Sequence, residues 1–307
     1  MSGWWIRNRQ LVLQLAGTIL AVVLLIVLLQ ENGWSEILTT FRKIKTTDLL
    51  WVALLFSISR IAIVWRWHLL LRSGGIDMHF KDSMSLTFTG LFASNFLPST
   101  IGGDVVRLAG AMQMGFDRAV CLASIAADRL IGMLGMSMTL PLGVANSWSL
   151  INNIPVSSMA VSWVRRPIAL LKRTFSVFGL WIKKPASLFA SLAFTWVHML
   201  CLFSSIYIFA EDLGSHASFW MIAGLWSLTY FISLLPISIN GYGLQELSFT
   251  FFMSNVAGLT PAVGLSIAVL IRAYFVLSSL PGAFFLPSIM SAMAEQKKRP
   301  SPSDILL

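Results

Sequence analysis

The sequence predicts an all-α integral membrane protein, a polytopic helix bundle with about six spans and two re-entrant helical hairpins arranged as an inverted repeat. Three observations predict this class. Of the 307 residues, 56% are hydrophobic and only 11% are charged, whereas a soluble domain carries about 25% charged residues. Uncharged stretches recur at the length of roughly 20 residues that crosses a bilayer. Proline and glycine interrupt two of these stretches, as in helices that break at membrane depth.

Six stretches are predicted to span the membrane as helices, because hydrocarbon offers no water to unpaired backbone groups. They are Leu11–Leu29, about Leu49–Leu71, about Val120–Leu142, about Val144–Val164, Ala186–Ala210 and about Ala262–Leu286. Arginines before the first stretch resemble the start of a signal peptide, but no small-residue cleavage site follows it, which favours an uncleaved span. We therefore predict a single integral membrane domain over residues 1–290 and a polar cytoplasmic tail over residues 291–307.

Two further uncharged stretches are predicted to enter the membrane and turn back. The first turns near Pro98–Gly103, and the second is broken at Pro236 and Asn240–Gly243. A shift of 138 residues places Leu97–Gly103 on Leu235–Gly241, where Leu, Pro, Ile and Gly coincide. A chance match between short apolar segments is the alternative. The match and its surroundings predict an internal repeat, about 48–142 and about 186–290, of the kind that builds secondary transporters.

The distribution of basic residues predicts which side of the membrane each loop faces. With the N-terminus in the cytoplasm, the basic arm 165–184 and the tail lie inside, whereas Glu211 and Asp212 lie outside, as the positive-inside rule requires. The segment Arg42–Lys45 disagrees unless it forms an interfacial helix. We predict both termini in the cytoplasm and a location in the cell (inner or cytoplasmic) membrane. The net charge of +9 then reflects orientation, and no nucleic-acid partner is predicted.

Ionisable side chains fall inside the predicted spans and hairpins, where each costs roughly 2.5–3.5 kcal/mol on insertion scales. Five are arginines and three are acids, an excess of two positive charges: Arg60, Arg66, Arg107, Arg129, Arg272, Asp104, Asp128 and Glu246. The planar guanidinium group suits phosphate, so the set predicts a site for an anionic head group. The alternatives are that these charges only pair with one another to hold the bundle, and that Arg66 extends to the interface.

The predicted substrate site combines most of these charges with residues of the two hairpins, whose glycines let the backbone approach a ligand. Its members are Arg60, Asn95, Pro98, Gly102, Gly103, Asp104, Arg107, Asp128, Arg129, Asn240, Gly241, Gly243, Gln245, Glu246 and Arg272. Arg107 and Arg272 are predicted to bind the phosphate. Asp104 and Glu246 are predicted to hold those arginines in the empty site or to carry a coupling proton.

Sequence motifs of enzymes are missing from the chain. There is no phosphate-binding loop of a nucleotide site and no His-Glu-x-x-His zinc motif. His68 and His198 lack a second ligand at helical spacing, and Cys121 and Cys201 lie in apolar segments, as inert thiols do. We therefore predict no cofactor, no metal and no catalytic residue.

The segment Asn95–Arg107 resembles the first signature of the lysylphosphatidylglycerol synthase transmembrane-region family, also called flippase-like membrane proteins. Four further parts of the chain resemble other elements of that family: Trp65–Leu71, Asp128–Leu130, Leu235–Glu246 and Arg272. The second signature departs from the family pattern, because Asn240 replaces a glycine and Gln245 replaces an arginine. The resemblance covers the chain from about residue 50 to 290.

The resemblance implies a transporter that moves an anionic lipid or a lipid-linked sugar between the leaflets of the cell envelope. Two other classes stay open. The protein could be an intramembrane lipid or glycan transferase that uses Asp104, Glu246 and the arginines. It could also be a non-catalytic membrane partner of an enzyme complex that makes lipids or envelope glycans. Product formation by the purified protein would separate the transferase from the transporter.

Overall fold

The computed structural model describes residues 34–97, 101–152, 184–235 and 238–287, together with positions 15, 19, 20 and 23. Regular structure within these residues is helical throughout. The helices are α1 Trp34–Lys43, α2 Thr46–Ser73, α3 Phe80–Ser94, α4 Gly102–Gln113, α5 Arg118–Asn146, α6 Trp148–Asn152, α7 Pro185–Asp212, α8 Phe219–Ser233, α9 Leu244–Asn255 and α10 Pro261–Ser279. Residues 281–287 are helical beyond α10.

Four helices are long and apolar enough to cross a membrane, namely α2, α5, α7 and α10. They coincide with the predicted spans that begin near Leu49, Val120, Ala186 and Ala262. Capping residues fix several helix starts: the Asp117 carboxylate accepts a hydrogen bond from the Val120 N–H at 2.9 Å, before α5. The predicted spans Leu11–Leu29 and Val144–Val164, the basic arm and the tail lie largely outside the described residues.

Two pairs of shorter helices form the predicted hairpins, α3 with α4 and α8 with α9, and the members of each pair pack on one another. The helices stop at Ser94 and Ser233 and resume at Gly102 and Leu244. Close packing explains glycine in the first hairpin: a Cβ on Gly103 would overlap the backbone of α3. Pro98 and Pro236, the predicted breakers, lie outside the described residues.

Helix lengths repeat along the chain. The helices α2 and α7 have 28 residues each, α3 and α8 have 15, and α4 and α9 have 12. The first two pairs begin 139 residues apart (46 and 185, 80 and 219), and the third begins 142 apart (102 and 244). The second hairpin therefore has three extra residues at its break. A 3₁₀ turn, Ile239–Gly241, occupies this longer break, and Asn240, Gly241 and Gly243 have positive φ angles there.

The first helices of the two repeats pack along each other in opposite directions. At one end the Lys45 ammonium lies 2.8 Å from an Asp212 carboxylate oxygen, and at the other Lys184 donates to the Ser73 carbonyl at 2.8 Å. Antiparallel packing of equivalent helices is what an inverted repeat requires. The inverted repeat itself and its orientation in a membrane stay predictions.

The halves also meet where each repeat's last span contacts the other repeat's hairpin. In α5, Gly143 lies against the backbone of α8 at Gly224, and a Cβ on either glycine would overlap the other helix. Gly282, which lies 139 residues after Gly143, packs in the same way against the Phe88 carbonyl of α3. The largest apolar core surrounds α7 and α8, with buried side chains such as Phe203 and Phe249. These contacts place the breaks of both hairpins around one internal space.

Candidate functional site

A cavity of about 320 Å³ lies between the two halves, next to the breaks of both hairpins. Its polar lining includes three arginines and three amide side chains: Arg60, Arg129, Arg272, Asn95, Asn240 and Gln245. Among the described residues, the cavity lining contains no aspartate or glutamate. Six residues of the predicted site therefore share one cavity, and its surface is cationic.

In the second half, an acid at the start of α9 holds the cavity arginine of α10. The Arg272 Nε donates to Glu246 Oε1 at 2.5 Å, while Glu246 Oε2 accepts the Gly243 N–H at 2.7 Å. The remaining Arg272 contacts are neutral: Nη2 donates to Gln245 Oε1 at 3.1 Å and to the Gly241 carbonyl at 3.5 Å. The guanidinium carbon also lies 4.6 Å from the centre of the Tyr242 ring. Glu246 thus both caps its helix and orients Arg272 toward the cavity.

The first half repeats this pair. Asp104 lies in the first turn of α4, as Glu246 lies in the first turn of α9, and the Arg129 Nε donates to its carboxylate. The spacing from acid to arginine is 25 residues in the first half and 26 in the second. Arg129 and Arg272 are therefore the equivalent residues of the two halves, and each lines the cavity.

Arg107, one helical turn after Asp104, lies behind the cavity lining and not in it, in contrast to Arg129 and Arg272. Arg107 Nη1 donates to Asp104 at 3.2 Å and to Asp128 at 3.1 Å, and its guanidinium carbon lies 4.0 Å from the centre of the Trp67 ring. Asp128 also accepts from Arg66 Nε at 2.7 Å. The four charged side chains of this cluster, Arg66, Asp104, Arg107 and Asp128, are buried, and none of them lines the cavity.

The turn of α4 directs the Arg107 side chain into the protein interior, away from the cavity lining, and its binding to a phosphate stays a prediction. The same buried cluster explains Arg66, which extends to Asp128 rather than to the membrane interface. The ion pairs of Arg66, Arg107 and Asp128 are those expected from structural pairing, the alternative left open by the sequence. The Arg107 Nε and Nη2 atoms are buried without a hydrogen-bond partner in the structure, so stacking on Trp67 supplies part of their environment.

Arg60 is a third cavity arginine with a contrasting environment. It is only 5% exposed, yet its hydrogen bonds go to neutral oxygens, Ser278 Oγ at 2.8 Å and the Phe275 carbonyl at 3.4 Å. The rings of Phe56 and Phe275 lie 5.9 and 5.1 Å from its guanidinium carbon. No carboxylate among the described residues forms an ion pair with Arg60.

The predicted glycines serve the hairpins rather than the cavity surface. Gly102 packs against Leu97, and Gly103 packs against α3. Gly241 and Gly243 have φ angles of 74° and 76°, which other L-residues rarely adopt, and Asn240 shares this region with a φ of 49°. Their conformation turns Asn240 and Gln245 toward the cavity.

Several cavity residues were not predicted as members of the site, including Ser94, Ser233, Tyr230 and His198. Ser94 and Ser233 are the last residues of α3 and α8, and they are 139 residues apart. The repeat could have identified this pair, because the helices before both breaks share that offset. His198 Nδ1 and Ser59 Oγ share a hydrogen bond of 2.6 Å between α7 and α2.

Comparison with known proteins connects this architecture to a family. Residues 14–282 match the family profile described as "Lysylphosphatidylglycerol synthase TM region". A comparison with curated proteins gives no match. The family profile covers both hairpins and every residue of the cavity described above.

Proposed function

Because the chain belongs to the lysylphosphatidylglycerol synthase TM-region family, we propose that it is a flippase-like transporter that moves an anionic lipid or lipid-linked sugar between leaflets. The family and the four apolar helices identify an integral membrane protein, and the family indicates a role in lipid or envelope metabolism. The step from that role to transport rests on the cavity.

One observation carries the proposal: three arginines face a cavity whose described lining has no carboxylate. Arginine binds phosphate through paired N–H groups, and such charge-assisted bonds are stronger in a site of low dielectric constant. Arg129 comes from the first half and Arg272 from the second. A phosphate between them would therefore contact both repeats at once.

The acids behind the two arginines suit a transport cycle. Asp104 and Glu246 neutralise Arg129 and Arg272 while the cavity is empty, which keeps the cost of the buried charges low. A bound phosphate would take over part of that role. The substrate would pass across the membrane when one half rocks against the other along the α2–α7 and glycine contacts, as inverted repeats do around a fixed site.

The test is lipid translocation in reconstituted vesicles with a fluorescent phospholipid of net negative charge. We expect Arg129→Gln and Arg272→Gln to lower the translocation rate at least about tenfold, because each removes one charged contact to phosphate. Arg72→Gln is the matched control, since the Arg72 side chain is 59% exposed and pairs with Asp77 outside the cavity.

Two results would contradict the proposal. Wild-type rates in both cavity variants, with equal amounts of folded protein, would make these arginines structural. Conversion of the labelled lipid to a new product by the purified protein would favour the transferase instead. Chromatography of the lipid recovered from the same vesicles distinguishes a moved lipid from a modified one.

A further inference from the structure

We infer that the cavity selects a lipid head group with two negative charges, such as a phosphomonoester or a diphosphate, over a phosphodiester with one. The inference rests on the proposed function and adds the charge class of the substrate. It follows from the environment of Arg60 and from the balance of charge around the cavity.

Among the described residues, no carboxylate pairs with Arg60, in contrast to the other two cavity arginines. Arg129 and Arg272 each donate to a carboxylate, whereas the hydrogen-bond acceptors of Arg60 are a hydroxyl and a carbonyl. A buried cation without an opposite charge is costly in a membrane protein, and such residues mark binding sites or ion pathways. Arg60 lines the cavity, so a ligand there is placed to supply the opposite charge.

The summed charge of the cavity and the residues behind it is also positive, and its value indicates how many negative charges a ligand would need. The cavity and the cluster behind it contain five arginines, Arg60, Arg66, Arg107, Arg129 and Arg272, and three carboxylates, Asp104, Asp128 and Glu246. Five minus three leaves two positive charges. A head group with two negative charges would bring this total to zero, whereas a single phosphodiester would leave one positive charge uncompensated at low dielectric.

The same excess of positive charge makes this cavity unsuited to a cationic head group. The family is named for lysylphosphatidylglycerol, whose lysyl group carries ammonium charge beside the phosphodiester. No carboxylate among the described cavity residues is available to receive an ammonium group. A lysylated lipid should therefore bind more weakly than an unmodified anionic lipid of the same chain length.

The experiment is equilibrium binding to the full-length protein in detergent at about pH 8.5, where a phosphomonoester carries two charges because its second pKa is near 6. Phosphatidic acid, phosphatidylglycerol and lysylphosphatidylglycerol with identical acyl chains are compared by native mass spectrometry. For the wild type we expect phosphatidic acid to bind about tenfold or more tightly than phosphatidylglycerol, and the lysylated lipid to bind most weakly.

Variants at Arg60 separate charge from structure. Arg60→Gln should lose the preference for phosphatidic acid while it still binds phosphatidylglycerol, and Arg60→Lys, which keeps the charge, should retain the preference. Arg72→Gln is the control and should match the wild type. Thermal unfolding in the same detergent verifies that each variant is folded, and Arg60→Lys keeps the test valid if the glutamine variant unfolds.

The outcomes are distinct. Equal affinity of the wild type for phosphatidic acid and phosphatidylglycerol would overturn the inference and leave the proposed function standing. An unchanged preference in Arg60→Gln would overturn it as well. Binding of neither anionic lipid would overturn the inference and the proposed function together. Displacement of phosphatidic acid by an equal concentration of inorganic phosphate would assign the site to a free anion and overturn the choice of a lipid.

Discussion

The two halves of the protein hold the same acid–arginine pair in different surroundings. In the second half, the other contacts of Arg272 are neutral groups of the longer hairpin break. In the first half, Asp104 is shared between Arg129 and Arg107, and Arg107 continues to Asp128. The pair is therefore repeated, whereas within the described part of the chain the buried cluster behind it occurs in the first half alone.

This difference separates two kinds of membrane-buried charge. The repeated arginines line the cavity, so they are available to a ligand. The unrepeated cluster of Arg66, Arg107 and Asp128 lies behind the lining, where Asp128 pairs with both arginines and ties α2, α4 and α5 together. We interpret the first kind as functional and the second as structural. Mutations with the same chemistry in the two halves should therefore have different consequences.

The largest stability effect is expected for Asp128→Asn. It removes the negative charge between two buried arginines, and breaking a buried pair costs about 3–5 kcal/mol. The equivalent change in the second half, Glu246→Gln, should cost about 1–3 kcal/mol, because Glu246 pairs with a single arginine and Arg272 keeps its neutral partners Gln245 and Gly241. Unfolding by a denaturing detergent in mixed micelles measures both free energies.

Asp77→Asn provides the control for this comparison, since the Asp77 side chain is 91% exposed. The control should leave the free energy of unfolding within about 0.5 kcal/mol of the wild type. If Asp128→Asn proves no more destabilising than Glu246→Gln, the division between structural and functional charges fails.

A smaller effect is expected where the halves touch through glycine. Gly143→Ala should destabilise the protein by about 1–3 kcal/mol, because the new methyl group would overlap α8 at Gly224 and force the halves apart. Gly264→Ala is a matched control within α10, where the added Cβ would lie 3.4 Å from its nearest neighbour. The same detergent unfolding assay applies, and a stable Gly143→Ala protein would show that the contact is loose.

The smallest effect is expected at the pair that joins the halves, Lys45 with Asp212, because the Lys45 side chain is 71% exposed. The hydrogen bond to the Asp212 carboxylate raises the pKa of Lys45 above its usual value, so the pair contributes fully below the unfolded pKa near 10.4 and is lost as pH rises through the folded value. Lys45→Gln should therefore lower the unfolding midpoint slightly and by the same amount from pH 6 to 9. A difference that changes within this range would contradict the assignment.

Much of the fold was predictable because apolar length and composition determine which segments cross a bilayer. The spans beginning near Leu49, Val120, Ala186 and Ala262 agree with α2, α5, α7 and α10. The two breaks were also predictable from Pro98, Pro236 and the glycines beside them. The sequence motif aligned at an offset of 138 residues, whereas the helices before the breaks are offset by 139 and the helices after them by 142, since the second break is three residues longer.

The site was harder to predict because a motif shows which charges are near one another but not which way they point. Arg107 belongs to the same motif as Asp104, which suggested a shared ligand. One turn of α4 instead places Arg107 beside Asp128 and Trp67, where neither partner is close in sequence. Arg129 lines the cavity instead, and its spacing of 25 residues from Asp104 is close to the spacing of 26 between Glu246 and Arg272. The internal repeat was thus a better guide to the cavity than the local motif.

The central claim is that one arginine from each half binds the same phosphate. A double-mutant cycle with Arg129→Gln, Arg272→Gln and the double variant tests it, with the affinity for an anionic phospholipid as the measured quantity. If both arginines contact one head group, the losses should be non-additive, with an interaction free energy of about 0.5–3 kcal/mol. Additive losses, within about 0.3–0.5 kcal/mol, would show that the two arginines act at separate places and would contradict the shared site.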